Sequence, residues 1–181
     1  MSVNRIGSFN LSKVDKTVSF ILDTNILYFV HSGYYSNTYF KNIIYSNLLQ
    51  QIMIKGNDLF VTSLNLQELI FGIENKEYEL YLNVTGKTRK FTKKDFRRDT
   101  SLRTSVQSKV KVVLMEIESA YKFCDIDVTT KSVESFVDDY LKYLYDPMDY
   151  LVVDATNKKE IIYITDDTDF QSDSRVEVLT I

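Results

Sequence analysis

Short apolar runs alternate with segments of helical periodicity along this chain, and this alternation limits the fold more than any other feature. The apolar runs predict strands at 18–22, 59–61, 126–128 and 161–164, with a further candidate at 176–179. Helical patterns lie between and beside them, at 37–54, 63–73, 101–123, 132–144 and from 146 onward. Such alternation is typical of a parallel sheet covered on both faces. We therefore predict a three-layer α/β/α fold around a mainly parallel, four- to five-stranded sheet.

Two of the predicted helices carry residues that mark where they begin. Ser63 has a side chain suited to a helix N-cap and directly precedes the apolar positions of the second helix. Asp146 is followed by Pro147, which places an N-cap before a proline at the first helical position. These signals predict helices that start immediately after a strand and after a turn.

The composition fits one compact domain spanning residues 1–181. Hydrophobic residues make up 44% of the chain and charged residues 26%, a balance typical of globular proteins. One proline and five glycines form no linker that would divide the chain. The single cysteine, Cys124, excludes an internal disulfide and is expected to be a small buried residue. Because neither a secretion signal nor a membrane-spanning run is evident, we expect a cytoplasmic protein with no membrane association.

Positive charge is concentrated in one segment of an otherwise acidic chain. The net charge is −3, but residues 87–111 contain ten basic and two acidic residues, a local charge of +8 that leaves −11 elsewhere. One interpretation is a solvated loop and helix face; the other is a contact with RNA phosphates. The candidate RNA-binding residues are Lys90, Lys93, Lys94, Arg97 and Arg98. Four rings within or beside the segment could stack on bases: Tyr78, Tyr81, Phe91 and Phe96.

Acidic residues directly follow two of the predicted strands. Asp23 ends the first apolar run, and Asp166, Asp167 and Asp169 follow the run at 161–164. In open α/β sheets, ligands bind beyond the carboxyl ends of the strands. We therefore expect these acids to meet at one edge of the sheet.

Two further acids are expected on helices near the same edge. Glu68 lies in the helix after the second strand, and Asp149 lies in the first turn of the helix that starts at Pro147. Carboxylates brought together repel one another and lose hydration, which raises their pKa values. A hard divalent cation, magnesium or manganese, is the usual compensation, and such ions can activate water for phosphodiester hydrolysis. The sequence therefore favours an acidic metal site.

Each of these acids also has an interpretation without chemistry. Asp23 could cap the following helix, Glu68 could face solvent, and Asp149 could simply favour the helix dipole. Asp146 competes with Asp149 for a place in the site, but helix capping already explains it. The pattern does not separate the acids at 166–167, although the spacing from the flanking residues favours the second of them.

Three stretches of the chain resemble motifs of the PIN-domain family of nucleases. ILDTNIL at 21–27 resembles the family's opening strand, which ends in Asp-x-Asn, and SLNLQELIFGI at 63–73 resembles its helix with an acidic residue. MDYLVVDATNKKEIIYITDDTDF at 148–170 resembles the closing half of the family's domain. The order and spacing of the three motifs make the likeness specific over about residues 18–179. A region at 77–104, within a basic segment of about 77–111, looks inserted or extended relative to the smallest members.

The resemblance implies an endoribonuclease that depends on magnesium or manganese. Its catalytic, metal-binding acids would be Asp23, Glu68, Asp149 and Asp167, with Asp169 as a further metal ligand at the edge of the cluster. Asn25 and Thr165 would orient a carboxylate or a water molecule.

The resemblance also implies partners. Many proteins of this architecture are VapC-type toxins of toxin–antitoxin pairs, so an antitoxin protein joins RNA as an expected partner, and a homodimer is left open. One alternative is a PIN nuclease that acts in RNA processing or defence. Another is an inactive RNA-binding scaffold, against which the complete set of four acids argues. A phosphatase of the haloacid-dehalogenase type fits poorly, because its nucleophile motif requires an acid where this chain has Asn25.

Overall fold

The computed structural model describes residues 3–7, 9–34, 39–88, 90–126, 128–140, 142, 146–157, 161–172 and 177–180. In this part of the chain, one sheet contains the strands β1 (Val3–Arg5), β2 (Phe20–Leu22), β3 (Leu59–Thr62), β4 (Lys122–Cys124), β5 (Ile162–Ile164) and β6 (Val178–Thr180). The strand order is β1-β6-β5-β2-β3-β4, and every neighbouring pair is parallel. The order places β2 and β5 side by side in the middle of the sheet.

Seven α-helices connect or flank these strands in the described residues. They are α1 (Thr24–His31), α2 (Tyr39–Lys55), α3 (Ser63–Thr85), α4 (Lys93–Arg98), α5 (Thr100–Ala120), α6 (Thr130–Asp139) and α7 (Pro147–Asn157). None of the described helices combines the length and the apolar character needed to cross a membrane.

The helices cover both faces of the sheet. Side chains alternate along each strand, so neighbouring residues of one strand pack against helices on opposite faces. Phe20 and Leu22 of β2 belong to a core built with α1, α2, α3 and α5, whereas Ile21 belongs to a second core built with α7. All three side chains are almost completely buried. The predicted three-layer α/β/α class is therefore confirmed, with six described strands rather than four to five.

The two edge strands are the part of the sheet that the apolar pattern does not predict. The prediction of a strand at 126–128 is wrong. The chain pairs with β3 at Lys122–Cys124 instead, and residue 127 lies outside the described part. Lys122 and Phe123 are exposed, so β4 carries no apolar run. The opposite edge, β1, pairs with β6 alone in the described sheet. Edge strands are held by backbone hydrogen bonds on one side and often carry charged side chains, which hides them from a periodicity analysis.

Helix α3 begins and ends at other residues than the sequence predicts. Its N-cap is Thr62 and not Ser63, because the Thr62 hydroxyl accepts a hydrogen bond from the Asn65 N–H at 3.0 Å. The Asn65 side-chain oxygen accepts in return from the Thr62 N–H at 3.3 Å, which completes a reciprocal cap. The helix also continues well beyond the predicted end, to Thr85, and stops at Gly86, whose φ of 66° favours glycine.

Helices α2, α5, α6 and α7 lie close to their predicted ranges, whereas the sequence analysis gives no range for α1 or α4. Helix α5 ends at Ala120, so the last predicted turn, to residue 123, belongs to β4 instead. Parts of three other predicted elements, residues 37–38, 141, 143–144 and 176, lie outside the described part of the chain. The predicted N-cap at Asp146 is confirmed: its carboxylate accepts from the N–H groups of Met148 at 2.8 Å and Asp149 at 3.0 Å.

Cys124 and His31 lie away from the predicted acidic site and make structural contacts. Cys124 is buried at the end of β4, as predicted. His31, the single histidine, contacts a Glu116 carboxylate oxygen at 3.1 Å through Nδ1 and the Tyr121 hydroxyl at 2.9 Å through Nε2. These contacts join the end of α1 to the end of α5.

Candidate metal centre

The framework of the site is the pair of central strands, whose carboxyl ends meet at one edge of the sheet. Leu22 of β2 lies opposite Ile164 of β5, and the Asp23 N–H donates to the Ile164 carbonyl at 2.9 Å. The predicted neighbourhood of these two strand ends is therefore confirmed. Because both strands stop here, the side chains that follow them open into the same space.

An open cleft of about 280 Å³ lies beyond these strand ends. The acids that line it are Asp23, Glu68, Asp146, Asp149 and Asp167. Its remaining walls are Thr24, Asn25, Tyr28, Phe29 and Gly72. The structure thus brings together all four acids that the sequence predicts as the catalytic cluster, and it adds Asp146.

Asp23 is the most deeply placed of these acids. It occupies the N-cap position of α1, but its side chain makes no capping hydrogen bond, and only 5% of the residue is exposed. The Thr165 hydroxyl donates to its Oδ2 at 2.5 Å. Burial raises the pKa of Asp23 to about 6, against the lowering effect of that hydrogen bond, and the nearby Glu68 charge adds to the rise. Helix capping therefore does not account for this carboxylate.

Asp149 has a more strongly perturbed pKa. Burial is the largest cause, followed by the charges of Asp23, Asp146, Glu68 and Asp167, and together they raise the pKa of Asp149 to about 8. Like charges that face one another disfavour ionisation, and a cation placed among these carboxylates stabilises their ionised form. The cleft is therefore a place of unbalanced negative charge.

Glu68 is held in place by a hydroxyl that the sequence analysis did not include. The Thr24 hydroxyl donates to Glu68 Oε2 at 2.6 Å, and the Asn65 side-chain amide donates to the same Thr24 oxygen at 3.2 Å. Thr24 is the middle residue of the Asp-x-Asn motif. Any residue can occupy that position, so the motif does not mark Thr24 as functional. Two neighbouring helices, α1 and α3, are thereby linked at the cleft.

The turn after β5 separates the two acids that the sequence could not distinguish. Asp167 lines the cleft, and its N–H donates to the Thr165 hydroxyl at 3.0 Å. Asp166 is engaged elsewhere: the Tyr45 hydroxyl donates to its Oδ1 at 2.9 Å, and Lys41 forms an ion pair with its Oδ2. The structure therefore favours Asp167 as the member of the cluster.

The other residues predicted at this turn lie beside the acids. Asn25 accepts a hydrogen bond from the Asp166 N–H at 3.2 Å and donates to the Thr165 hydroxyl at 3.5 Å, so it holds the turn and not a carboxylate. Thr165 contacts Asp23 directly, as described above. Asp169 lies one step outside the cleft, and its N–H donates to Asp167 Oδ1 at 2.9 Å.

Tyr163 forms part of the floor beneath the cluster. It is fully buried in β5, its ring packs on Phe170 at 5.0 Å between centroids, and its hydroxyl makes no hydrogen bond of normal geometry to another described residue. Burial raises the pKa of Tyr163 well above its ordinary value, and the charges of Asp23 and Asp149 raise it further. An apolar run at 161–164 predicts a strand and gives no reason to single out this hydroxyl.

The donor set fits magnesium or manganese in its chemistry. All the acids that line the cleft offer hard carboxylate oxygens, and their mutual repulsion would be relieved by a divalent cation. Among the described residues, no three acidic, histidine or cysteine side chains already surround one point as a formed metal site.

Three of the five basic residues predicted to bind RNA contact side chains within the protein. Arg97 forms two hydrogen bonds of 2.6 Å with Glu74, and Arg98 lies 3.6 Å from Asp95. Lys93 donates to the Asn75 side-chain oxygen at 2.5 Å. Lys90 and Lys94 are exposed. Arg97 is therefore tied to α3, whereas the lysines remain close to solvent.

The aromatic residues of this segment pack on one another. Ring centroids are 5.7 Å apart for Tyr78 and Phe96, 5.8 Å for Tyr81 and Phe96, and 5.3 Å for Tyr81 and Phe91. Only 9% of Tyr78 and 3% of Phe96 is exposed. The prediction that these two rings stack on bases is wrong, because they form the small core that joins α3 to α4.

Comparisons with known proteins identify the fold. No protein-family model matches the sequence, and no curated protein matches it. A chain of VapBC2 from Rickettsia felis, solved with a DNA fragment from its promoter, has a TM-score of 0.50 and 14% identity over 89% of this chain and 97% of that chain. A chain of DNA-bound VapBC from Salmonella typhimurium has a TM-score of 0.52 and 15% identity over 90% and 97%. The similarity agrees with the PIN-like fold that the motifs predict, and at this identity it concerns the fold alone.

Proposed function

We propose that this protein is a metal-dependent endoribonuclease that hydrolyses RNA phosphodiester bonds. The observation that carries the proposal is the convergence of Asp23, Glu68, Asp149 and Asp167 on one cleft at the carboxyl ends of β2 and β5. The raised pKa values of Asp23 and Asp149 support it, because unbalanced buried carboxylates are costly unless a cation compensates them.

Each residue has a distinct part in the proposed chemistry. The four acids hold magnesium or manganese, and the bound ion supplies activation of water and stabilisation of the leaving oxygen. The Thr165 hydroxyl orients Asp23, and the Thr24 hydroxyl orients Glu68. Asn25 keeps the turn that carries Asp167 against α1.

A role as the toxin of a toxin–antitoxin pair is the biological setting that the comparisons favour. Both of the similar structures named above are VapBC complexes, so we propose an antitoxin protein as the partner. A PIN nuclease of RNA processing or defence would use the same cleft without such a partner. An inactive scaffold would bind RNA without cutting it, and the complete acidic set argues against it. Co-expression with the protein encoded by a neighbouring gene would separate the first two settings.

The test is cleavage of mixed single-stranded and structured RNAs by the purified protein during a titration with manganese or magnesium. Asp23→Asn keeps the shape of the side chain and removes its charge, so cleavage should fall at least about a hundred-fold, which corresponds to about 3 kcal/mol of transition-state stabilisation. Asp125→Asn changes an exposed aspartate outside the cleft and serves as the matched control. Near wild-type cleavage by Asp23→Asn would overturn the assignment, and RNA binding without cleavage by the wild type would favour the scaffold.

A further inference from the structure

One face of helix α3 connects the acidic cleft to a second cavity. Glu68, Gly72, Asn75, Glu79 and Asn83 follow one another at intervals of three or four residues, so they lie along the same side of the helix. Glu68 and Gly72 line the cleft, whereas the last three line a cavity of about 630 Å³. At 1.5 Å per residue, the centre of that cavity lies roughly 16 Å along the helix from Glu68.

Tyr28 and Gly72 line the cleft on the side of α3 that continues toward the second cavity. Tyr28 lines the cleft, and its ring would be 3.5 Å from a Cβ atom at Gly72. The charge of Glu79, which lines the second cavity, is close enough to add to the burial that raises the pKa of Tyr28. Because residue 72 has no side chain, the Tyr28 ring packs against α3 at this point. A strand that reaches both cavities therefore has to pass over Tyr28.

The second cavity has a different chemistry from the acidic cleft. Its lining combines the amides of Asn75 and Asn83, the carboxylate of Glu79 and the ammonium of Lys93. One negative and one positive side chain make these charges balance, whereas the cleft carries acids alone. Amide and carboxylate groups recognise the donors and acceptors on base edges, and a lysine attracts phosphate.

Such a mixture suits an unpaired nucleotide. Sequence-specific recognition of RNA usually targets single-stranded bases, which are hydrogen-bonded along their exposed edges. At the 3.4 Å rise of a stacked strand, the distance from Glu68 corresponds to about five nucleotides, and to fewer in an extended strand. One RNA strand can therefore reach both cavities.

We propose that the cavity lined by Asn75, Glu79, Asn83 and Lys93 is a nucleobase subsite, which holds one nucleotide of a single-stranded RNA whose scissile bond lies in the acidic cleft. This inference rests on the proposed function, because the acidic cleft defines where the bond is cut. Of the five basic residues expected to bind RNA, Lys93 is the one that lines this cavity. Arg97, which is paired with Glu74, has none.

The subsite predicts that its residues matter for long substrates and not for short ones. The test compares an RNA of about eight nucleotides, which spans both cavities, with a dinucleotide, whose single phosphodiester bond occupies the cleft alone. In the variant Asn75→Ala/Asn83→Ala/Lys93→Gln, kcat/KM for the long RNA should fall about tenfold or more, since one good base contact alone has an effect of about five- to 150-fold. Cleavage of the short RNA should remain as in the wild type. The spread of rates among the four bases at the distal position should also narrow.

The matched control makes the same chemical changes outside both cavities. Gln50→Ala/Gln51→Ala/Lys131→Gln removes two exposed amides and one exposed lysine from α2 and α6, and it should leave both substrates unaffected. Equal losses on long and short RNA, or no loss on the long RNA, would overturn the subsite. Thermal unfolding of both variants confirms that each is folded.

Binding distinguishes failure of the subsite from failure of the proposed nuclease. Affinity for a labelled long RNA is measured by fluorescence anisotropy in the Asp23→Asn background, with and without the three subsite substitutions. If the wild type cuts no RNA but the subsite variant binds the long RNA at least about tenfold more weakly, the subsite stands and the nuclease does not. If cleavage occurs and RNA affinity is unchanged in the variant, the nuclease stands and the subsite does not. If the protein neither cuts nor binds RNA, both are overturned.

Discussion

The acidic cleft and the basic segment at 87–111 differ in how far their charges are paired with opposite charges. In the cleft, buried carboxylates face one another, and the pKa values of Asp23 and Asp149 rise to about 6 and about 8. In the basic segment, part of the charge is paired: hydrogen bonding to Arg97 lowers the pKa of Glu74 on α3, and Arg98 lies 3.6 Å from Asp95. The cleft accumulates charge of a single sign, whereas the basic segment offsets part of its charge with neighbouring acids.

The comparison shows why a charge count along the sequence overstates the basic segment. Two of its cations are paired with acids that precede the segment in sequence, on α3: Arg97 with Glu74, and Lys109 with Glu77 at 3.2 Å. The local charge of +8 therefore falls once the helices pack together. The cleft shows the reverse, because acids that are far apart in sequence become neighbours and their repulsion increases.

The largest expected difference between the two regions is the response to a divalent cation. An ion that binds the folded cleft at about a hundred times its Kd adds about 2.7 kcal/mol of stability, or about 5–10 °C in Tm for a chain of this size. Manganese should raise the Tm of the wild type and of Arg97→Gln by this amount. Asp149→Asn should lose most of the shift, because a ligand charge is gone. Scanning calorimetry measures all three, and an equal shift in Asp149→Asn would place the ion outside the cleft.

The second difference concerns pH. The pKa of Asp149 rises from 3.8 in the unfolded chain to about 8 in the fold, so the folded protein binds more protons between these values. The stability of the metal-free protein should therefore fall as pH rises from about 4 to about 8. Urea unfolding in the presence of a chelator measures the slope. Asp149→Asn should flatten it, and a stability that increases with pH over this range in the wild type but not in the variant would contradict the assignment.

The third difference concerns buried hydroxyl groups. The hydroxyl of Tyr163, beneath the cleft, has no normal hydrogen bond to another described residue. The hydroxyl of Tyr78, in α3, donates to the Phe91 carbonyl. Tyr163→Phe should leave the metal-free stability unchanged or raise it by about 1 kcal/mol, and the matched Tyr78→Phe should lower it by about 0.5–1.5 kcal/mol. Chemical denaturation of the two variants gives the comparison. Equal destabilisation would mean that Tyr163 makes a stabilising hydrogen bond to Asp23.

The smallest expected effect belongs to the ion pair of Arg97 and Glu74. Because about half of the Arg97 side chain is exposed, a double-mutant cycle with Arg97→Gln and Glu74→Gln should give a coupling of about 0.2–1 kcal/mol. The pKa of Glu74 is lowered, so its stabilisation is present above the ordinary value of 4.5 and is lost as pH falls. The pH dependence therefore has the opposite sign to that of Asp149. A coupling that is zero at neutral pH would show that the pair is not formed in solution.

The residue pattern is sufficient to predict the layered α/β architecture and the place of the acids that follow strands. An apolar run that ends in Asp23 marks both a buried strand and its carboxyl end, and the same holds for the run before Asp167. Asp146 was likewise readable as an N-cap, since capping depends on residues only two or three positions away. These features are local, so the order of residues is sufficient to reveal them.

Tertiary structure decided the features that depend on partners distant in sequence. It selected Asp167 over Asp166 by giving the latter a lysine and a tyrosine from α2. It brought Thr24 to Glu68 and placed the Tyr163 hydroxyl beneath Asp23, although no motif marks either residue. Edge strand β4 also escaped prediction, because backbone pairing with a neighbouring strand, and not an apolar pattern, defines it. Hydrogen bonds and charge interactions act over a few ångströms in space, and only the folded chain sets those distances.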